Sequence, residues 1–553
     1  MILRTPCQAT CPFILCILLG LLACGVSAQA AGDPAGQQAK AQPPFCESGP
    51  SELRPTPLRV IDWGVIVAYG LVLLAVGWYY SRRTSSTEDY LLGGRRMASS
   101  AIGLSLFATL MSTLTYLATP GEMINKGPVI LWCVFSTMIA YFVVGYLLIP
   151  HFMKLPLTSA YEILEKPLGL RIRLLASGIF VVVRLMWMAL IIYVTADKLI
   201  VVMLGWPETT VPYISLAMGL VTIVYTSMGG LKAVVWTGVV KSFILLGGAV
   251  LMIVLISVQL GGVSAWWPTE WSPSWDQQPL FSLDPKCRAT VVGSILFMLV
   301  WWVCTAGSDQ MAVQRYLATR DALAARRAFR MTCITDISVT ICLGLLGFSL
   351  LGFFRSHPQV LQDAGWTIAR DADKLLPYYI INFLPTGVKG VMIAGLLAAA
   401  MASLASGMNS SCSVISVDFV DRFRATKKAE AAHIRQVKVL SVLSGLLAVG
   451  LSLLMGKVSG NVNELCVRIN HVFVAPLFCL FFMALFVPFA TSFGTGAGAL
   501  AGCTVAALIA YWDKITGGPV LSFQWISLSS LVADLAVAIP LSWLTARKWI
   551  ERV

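Results

Sequence analysis

Long apolar segments recur along almost the whole chain, and they constrain its fold more than any other feature. They contain about 20 residues or more, the length that a helix needs to cross the hydrocarbon core of a bilayer. Charged residues make up only 12% of the 553 residues and hydrophobic residues 57%, whereas soluble domains average about 25% and 45–50%. The sequence therefore predicts an all-α polytopic membrane protein, because an outer-membrane barrel would show shorter, alternating segments. Thirteen transmembrane helices are predicted, at residues 59–80, 98–118, 129–150, 171–204, 211–228, 233–260, 290–308, 328–354, 380–418, 437–456, 461–486, 490–512 and 522–546.

The first 30 residues have the layout of a cleaved signal peptide. Arg4 precedes an apolar stretch at 12–26, and Ala28-Gln29-Ala30 then leads into a polar tract rich in Gln, Ala and Pro. This order of charged, apolar and small residues is typical of secretory signals, with cleavage expected after Ala30. A weaker alternative is a lipoprotein-type cleavage before Cys24. Cleavage after Ala30 leaves an extracytoplasmic tail at 31–58, before the leading helix.

Basic residues alternate with neutral or acidic loops in the pattern of the positive-inside rule. An outside start and thirteen spans predict a cytoplasmic C-terminus in the plasma (inner) membrane. The predicted outer loops 261–289 and 355–379 are acidic or neutral. The net charge of +13 is thus a topology signal, and no nucleic-acid partner is predicted. The basic residues in the predicted inner segments are Arg82, Arg83, Arg95, Arg96, Lys154, Lys166, Arg171, Arg315, Arg320, Arg326, Arg327, Arg330, Arg422, Arg424, Lys427, Lys428, Arg435, Lys438, Arg547, Lys548 and Arg552.

Two cysteines fall in predicted outer segments. Cys46 lies in the N-terminal tail and Cys287 in the 261–289 loop. Disulfides persist on the oxidising side of a membrane. We predict that these two cysteines pair and tie the tail to the loop.

A run at 394–418 is long enough to span a membrane but is dominated by Ala, Ser and Gly. Small residues allow helix backbones to approach closely. Its hydroxyls at Ser403, Ser406, Ser410 and Ser413 recur at helical spacing, so one face carries oxygen atoms. Oxygen ligands suit a hard cation such as sodium. The alternative interpretation is a structural helix whose small residues serve close packing.

The spans also suggest two five-helix units, at 98–260 and 290–486, with two additional helices and a short tail at 490–553. The predicted topology gives the two units opposite orientations, as an inverted-repeat transporter requires. Residues 108–115 are rich in small and hydroxyl side chains, and Thr119-Pro120-Gly121 follows them. This composition predicts a break in the first core helix.

Four ordered segments resemble conserved blocks of the sodium/solute symporter family, which includes sodium-coupled sugar, proline, iodide and sialic-acid carriers. These are the acidic-Asp-Tyr…Gly-Gly-Arg segment at 86–95, YTSMGGLKAVVWT at 225–237, DQMAVQR at 309–315, and the Ser-rich helix ending in Asn-Ser…Asp. The resemblance implies a five-plus-five inverted-repeat core with broken first and sixth core helices. It also implies transport by alternating access around a midplane site.

The resemblance places a sodium site at the backbone carbonyls of Ala108 and Met111 and the side chain of Ser403. The family's usual pair of adjacent hydroxyls is Ala402-Ser403 in this chain, so one side-chain ligand is missing.

Lys241 is a second departure from the family pattern. Where relatives often have an Asp and, three residues later, a Gln, this chain has Gly238 and Lys241. A buried ammonium is unfavourable unless it titrates or finds partners. Three interpretations of Lys241 remain open: a tethered cation that substitutes for sodium, a titrating group that couples transport to protons, or an anchor that snorkels to the inner surface.

Candidate solute contacts follow from the same resemblance. Arg184 lies where sialic-acid carriers place a carboxylate-binding arginine, and alignment on Pro476 puts Arg468 at a sugar-site position. Arginine matches a carboxylate bidentately, so two intramembrane arginines favour an anionic solute. Alternatively, Arg468 pairs with Glu464 and Arg184 with helix carbonyls or a buried acid such as Asp336. Asp309 is expected to balance one arginine. Further hydroxyl contacts are expected from Ser112, Thr115 and Tyr116.

Together these features predict a symporter that imports a small polar solute with the sodium gradient, and they favour a carboxylate or acidic sugar as that solute. Alternatives are a proton-coupled or uncoupled carrier of a sugar or monocarboxylate, and a non-transporting membrane sensor. The expected partners are the solute, sodium or protons, and the lipid bilayer. No Walker A, metal-spaced or nucleophile motif occurs, so neither an enzyme nor an organic cofactor is predicted. The oligomeric state is left open.

Overall fold

The computed structural model describes residues 58–550 apart from 156, 278–279, 364, 425–428 and 456–461, and describes only the backbone at 462–469 and 547–550. The predicted signal peptide, nearly all of the N-terminal tail and Cys46 lie outside the described residues. Cys287 is half-buried in the loop before the sixth predicted core helix. The pairing of Cys46 with Cys287 therefore stays a prediction.

The described chain is helical, and no strand occurs within it. Three short helices, Thr87–Leu92, Pro358–Asp363 and Trp512–Thr516, lie in connections. The longer elements, numbered in chain order, are α1 (Val60–Ser81), α2 (Ser99–Leu110), α3 (Thr113–Asn125), α4 (Pro128–Met153), α5 (Glu162–Leu204), α6 (Glu208–Leu260), α7 (Val291–Ser308), α8 (Gln310–Leu317), α9 (Ala322–Ser356), α10 (Ile368–Phe383), α11 (Val388–Asp421), α12 (Glu430–Ser452), α13 (Val462–Phe486), α14 (Ser492–Ala510) and α15 (Trp525–Ile550).

Ten helices in the described chain are long and apolar enough to cross a membrane, or eleven if the bent pair α2–α3 is one span. A shorter apolar helix occupies Asn470–Phe486. The sequence predicted separate spans at 211–228 and 233–260, but α6 runs through both. Gly230 interrupts it with φ 56° and ψ −156°, and a Cβ atom there would lie 2.6 Å from the Tyr90 carbonyl oxygen. Only glycine adopts this conformation readily.

The predicted span at 380–418 is wrong at its start. Residues 380–383 belong to the end of α10, and the chain then turns before α11 begins at Val388. Leu384 is extended and Gly387 has a φ of 86°. The apolar composition continues through this turn, which is why hydropathy alone did not place the boundary.

The helix that begins at Ser99 is broken, as the composition of residues 108–115 predicted. Its halves, α2 and α3, meet at an angle of 64°. Met111 (φ −80°, ψ 105°) and Ser112 (φ −99°, ψ 172°) are extended at the junction. A second interruption separates α7 from α8 at Asp309 (φ −79°, ψ 123°), whose carboxylate caps α8 by accepting the Met311 N–H at 2.8 Å. Carbonyl groups that precede such breaks lack their helical partners and remain available.

The small-residue helix α11 is the most buried span of the fold. In its most apolar 18-residue window 89% of the residues are buried, against 17% in α1. It packs against α2, α5, α6, α8 and α12. Gly407 shows why small residues are needed, because a Cβ atom there would lie 2.6 Å from the Met188 sulfur of α5. The close packing that the alternative interpretation expected of this helix is therefore present in the structure.

The last two long helices, α14 and α15, pack against each other and against α13. Glycines at every fourth position of α14 face α15, where a Cβ atom at any of them would collide with the partner helix. This spacing is a common small-residue interface between membrane helices. The glycines are Gly494, Gly498 and Gly502.

Candidate cation and solute sites

Lys241 lies at the break between α2 and α3. Its side chain is fully buried, and its ammonium donates hydrogen bonds to three backbone carbonyls. The acceptors are Ala108 on α2, Met111 at 2.9 Å in the break, and Ala399 at 3.2 Å on α11. We call these three carbonyl groups the carbonyl cage. An ammonium has three N–H donors, so all three are satisfied by these carbonyls. The lysine therefore does not extend its ammonium towards the inner surface.

Gly238 explains how α6 approaches the break closely enough. A Cβ atom at this position would lie 3.3 Å from the Ala108 Cβ and 3.4 Å from the Ser105 Cα. The first distance is tighter than an ordinary van der Waals contact, so even a methyl group here requires a small shift of its neighbour. The two departures from the family pattern are therefore linked, because Gly238 brings the backbone close and Lys241, one turn later, reaches the carbonyls.

Ser403 reaches the same break but makes a different contact. Its hydroxyl donates to the Thr109 carbonyl oxygen at 3.2 Å, and the side chain is buried. The structure thus brings together the predicted cation-site residues Ala108, Met111 and Ser403. The sequence analysis did not identify Ala399, because a backbone carbonyl on an alanine leaves no sequence signal.

Arg315 was assigned to an inner loop, and this assignment is wrong. The residue lies on α8 and is fully buried. Its guanidinium donates to the hydroxyls of Thr109 and Ser406, to Ser105 Oγ at 3.2 Å and to the Met311 carbonyl at 2.8 Å. The break at Asp309 directs α8 back against α2 and α11, which positive-inside counting does not anticipate. The only available signal was its place in the block at 309–315.

Arg184 on α5 forms a buried ion pair with Asp309, as one of the sequence hypotheses proposed. The arginine Nη2 contacts Asp309 Oδ2, and the two side chains are 7% and 11% exposed. The guanidinium also lies 5.5 Å from the centre of the Phe180 ring. Its Nε–H has no hydrogen-bond partner among the described residues. Asp336, the alternative partner, instead accepts a hydrogen bond from Thr137 at 3.2 Å.

A small cavity lies beside this ion pair. Its volume is about 20 Å³, enough for roughly one water molecule. It is closed on one side by α5 and α7 and on the other by α13, and the lining hydroxyl of Thr305 has no partner among the described residues. The sequence analysis placed Arg468 on α13 but did not identify the α13 residues that line this cavity. The lining residues are Phe180, Val183, Arg184, Thr305, Ser308, Asp309, Asn470, Phe473, Val474 and Leu477.

Three other predicted solute contacts, Ser112, Thr115 and Tyr116, do not line this cavity. Tyr116 is buried and donates to the Leu245 carbonyl at 3.0 Å, which links α3 to α6. Ser112 is buried at the break, and its hydroxyl has no partner within the described part of the chain. Thr115 is half-buried. The Arg468 side chain lies outside the described residues, so its solute contact stays a prediction.

These observations define a class of protein. Apolar helices form a bundle, and buried charged groups gather at two helix interruptions, the break at Met111–Ser112 and the break at Asp309. Non-helical backbone at membrane depth is tolerated only inside protein or beside a water-filled path. Midplane sites at broken helices are characteristic of secondary transporters.

Comparison with known proteins identifies the family. The profile of the sodium:solute symporter family matches residues 90–505, and the chain belongs to this family of transporters. It is 29% identical over 398 residues to a sodium/sialic acid symporter of Proteus mirabilis, covering 70% of this chain and 76% of that protein. It is 27% identical to human sodium-coupled monocarboxylate transporter 1, covering 81% and 73%.

A solved structure supports the fold. A sodium-coupled sialic acid symporter in a substrate-bound, outward-open state superposes with a TM-score of 0.75 at 24% identity, covering 88% of this chain and 98% of that one. The chain is thus a multi-pass membrane transporter and not an enzyme.

Proposed function

We propose that this chain is a secondary active transporter that imports a small organic acid, either a carboxylate or an acidic sugar, with the sodium gradient. The observation that supports the solute class is Arg184, a buried guanidinium beside a small cavity. Its Nε–H lacks a partner among the described residues. Relatives named for sialic acid and for monocarboxylates support it as well, because both solutes carry a carboxylate.

Arg184 has the chemistry to recognise that group. A guanidinium has five N–H donors in a planar fork, and Asp309 engages only Nη2. A solute carboxylate that approaches from the cavity meets the free Nε–H and can share the guanidinium with Asp309. Charge-assisted bonds of this kind are stronger than neutral ones. Phe180 and Phe473 supply the apolar walls.

At about 20 Å³ the cavity is too small for any such solute, so binding requires its walls to separate. Its walls come from different elements, with Arg184 on α5, Asp309 between α7 and α8, and Asn470 on α13. Movement of α13 away from α5 and α7 would enlarge the cavity and leave the backbone at both helix breaks unchanged. This is the change that alternating access around a fixed site requires.

The finer architecture belongs to the same proposal. We count thirteen spans, because Gly230 divides α6 and because α13 crosses although its described apolar part is short. The interruptions at Met111–Ser112 and at Asp309 then fall in the first and sixth core helices of a five-plus-five inverted repeat. The N-terminus lies outside and the C-terminus in the cytoplasm.

One observation favours a second candidate function. The Lys241 ammonium occupies the carbonyls at which the family resemblance places sodium. A carrier of the same acidic solute that is uncoupled or driven by protons would need no sodium at this position.

The experiment is uptake into proteoliposomes with sodium and pH gradients imposed separately, using sialic acid, a short monocarboxylate and a neutral sugar. We expect uptake of a carboxylate solute that requires an inward sodium gradient and is lost in Arg184→Gln. Arg184→Lys is the matched variant, because it keeps the charge beside Asp309 but loses the planar fork, and we expect it to retain only weak uptake. The exposed Arg320→Gln serves as control. Uptake of the neutral sugar alone would contradict the solute assignment, and uptake that follows pH but not sodium would favour the second candidate.

A further inference from the structure

The carbonyl cage collects oxygen atoms from three separate elements around one buried point. Ala108 belongs to α2, Met111 to the break and Ala399 to α11. Oxygen atoms that converge in this way are suited to a small cation, and in this chain a cation is already there. The ammonium of Lys241 uses each of its three N–H groups on one of the three carbonyls.

We infer that Lys241 is a covalently tethered cation in the carbonyl cage, and that sodium does not bind at this helix break. The inference rests on the proposed function only in treating the break as a potential coupling site. A free sodium ion at this point would need the same oxygen atoms that Lys241 holds. It would also lie within a few ångströms of a fixed positive charge.

The described residues around the cage do not neutralise the charge of a second cation. Neither Lys241 nor Arg315 forms an ion pair with a carboxylate in the part of the chain that the structure describes. Arg315 donates hydrogen bonds to the hydroxyls of Thr109 and Ser406 on the neighbouring surfaces of α2 and α11. Position 402 is alanine and offers no side-chain oxygen. Within the described residues, a sodium ion at this point would find no carboxylate counter-charge, and the three carbonyl oxygens already accept hydrogen bonds from Lys241.

The tether has a consequence for transport. A bound ion that holds α2, α6 and α11 together can leave on the inner side and so couple solute movement to its own gradient. The ammonium makes the same contacts between the same elements but stays attached to α6. Any sodium coupling in this carrier must therefore use a different site.

The test measures sodium binding to the purified full-length chain with radioactive sodium, in parallel with uptake. In the wild-type protein, Ser403→Ala should leave the number of bound sodium ions and the sodium dependence of uptake unchanged. In the double variant Lys241→Gln, Ala402→Ser, the tethered charge is removed and the adjacent hydroxyl pair is restored. We expect this variant to bind one additional sodium ion per chain, and Ser403→Ala in that background should abolish the additional binding.

Two results would overturn the inference. The first is a loss of sodium binding when Ser403→Ala is introduced into the wild-type protein. The second is a double variant that elutes as a folded protein and binds no additional sodium. If the double variant does not fold, the comparison of sodium binding between the wild-type protein and its Ser403→Ala variant tests the inference by itself. The proposed function fails separately, through the absence of carboxylate uptake, whatever the sodium measurement shows.

Discussion

Replacing Arg184 by Gln removes the cation of a buried ion pair and leaves the Asp309 carboxylate charged at a helix break. The two side chains are 7% and 11% exposed, so solvent screens the remaining charge poorly. Removing one partner of a buried pair destabilises proteins by about 3–5 kcal/mol. Asp309 keeps its hydrogen bond from the Met311 N–H, which places the expected effect near the lower end, at about 3 kcal/mol.

The double variant Arg184→Gln, Asp309→Asn should be more stable than Arg184→Gln alone. Neither charge then remains buried, and asparagine is as good a helix N-cap as aspartate. The second substitution should therefore restore stability that the first removed, which gives a coupling energy on the order of 3 kcal/mol between the two positions. Asp309→Asn alone should destabilise the protein, because it leaves the guanidinium without its counter-charge.

The assay is thermal unfolding in detergent, followed by intrinsic fluorescence, for the wild type, both single variants and the double variant. The expected order of melting temperatures is wild type, then the double variant, then Arg184→Gln. Arg320→Gln is the matched control, because its ion pair is 71% and 48% exposed and such pairs contribute only about 0–1 kcal/mol. A double variant that melts below Arg184→Gln would refute the argument that an uncompensated buried charge is the cause.

Two further predictions concern the backbone and pH. Gly230→Ala should sharply reduce the yield of folded protein, because it combines a strained φ of 56° with a Cβ only 2.6 Å from the Tyr90 carbonyl. Gly205→Ala is the control, since Gly205 has a φ of 63° but its Cβ would have nothing within 4 Å. Equal yields of the two variants in purification would contradict the steric argument. Burial raises the pKa of Asp373, on α10 outside the spans, from 3.8 to about 6, with Glu122 adding to the shift. Folding then favours the protonated carboxyl, so this stabilisation is present below pH 3.8 and is lost as the pH rises through about 6. Asp373→Asn should accordingly raise the melting temperature at pH 7.5 and change it little at pH 4, and a similar gain at both pH values would exclude titration as the cause.

The positions of the helices could be predicted from the sequence because they depend on local properties. Apolar length and loop charge are readable along the chain, and the predicted spans overlap the observed helices throughout the described region. The errors lie where a turn does not interrupt the apolar composition, as at Leu384–Gly387, or where a single glycine bends a continuous helix, as at Gly230. The break at 111–112 was predicted, because small and hydroxyl residues replace aliphatic ones there.

The candidate sites were only partly predictable. The family motifs located Ala108, Met111 and Ser403, and they also marked Lys241 as a departure. They did not distinguish among the three interpretations of that lysine. The interpretation as a snorkelling anchor does not fit the structure, because the ammonium is fully buried and bound to carbonyls on three elements. Asn470 and Phe473 carried no motif signal, since they contribute only walls to the cavity.

The sequence by itself determined that this chain spans a membrane, which family it belongs to, and that its ion site departs from the family pattern. The tertiary structure decided which groups the departing residue Lys241 contacts. Lys241 contacts carbonyls about 130 and 160 residues away in the chain, and Arg184 pairs with Asp309 across a similar separation. Backbone carbonyls look the same in every sequence, and the partner of a buried charge depends on which helices meet. Both are properties of packing. They explain why the helix that the sequence marked as part of a sodium site instead provides a carbonyl, that of Ala399, to the Lys241 ammonium.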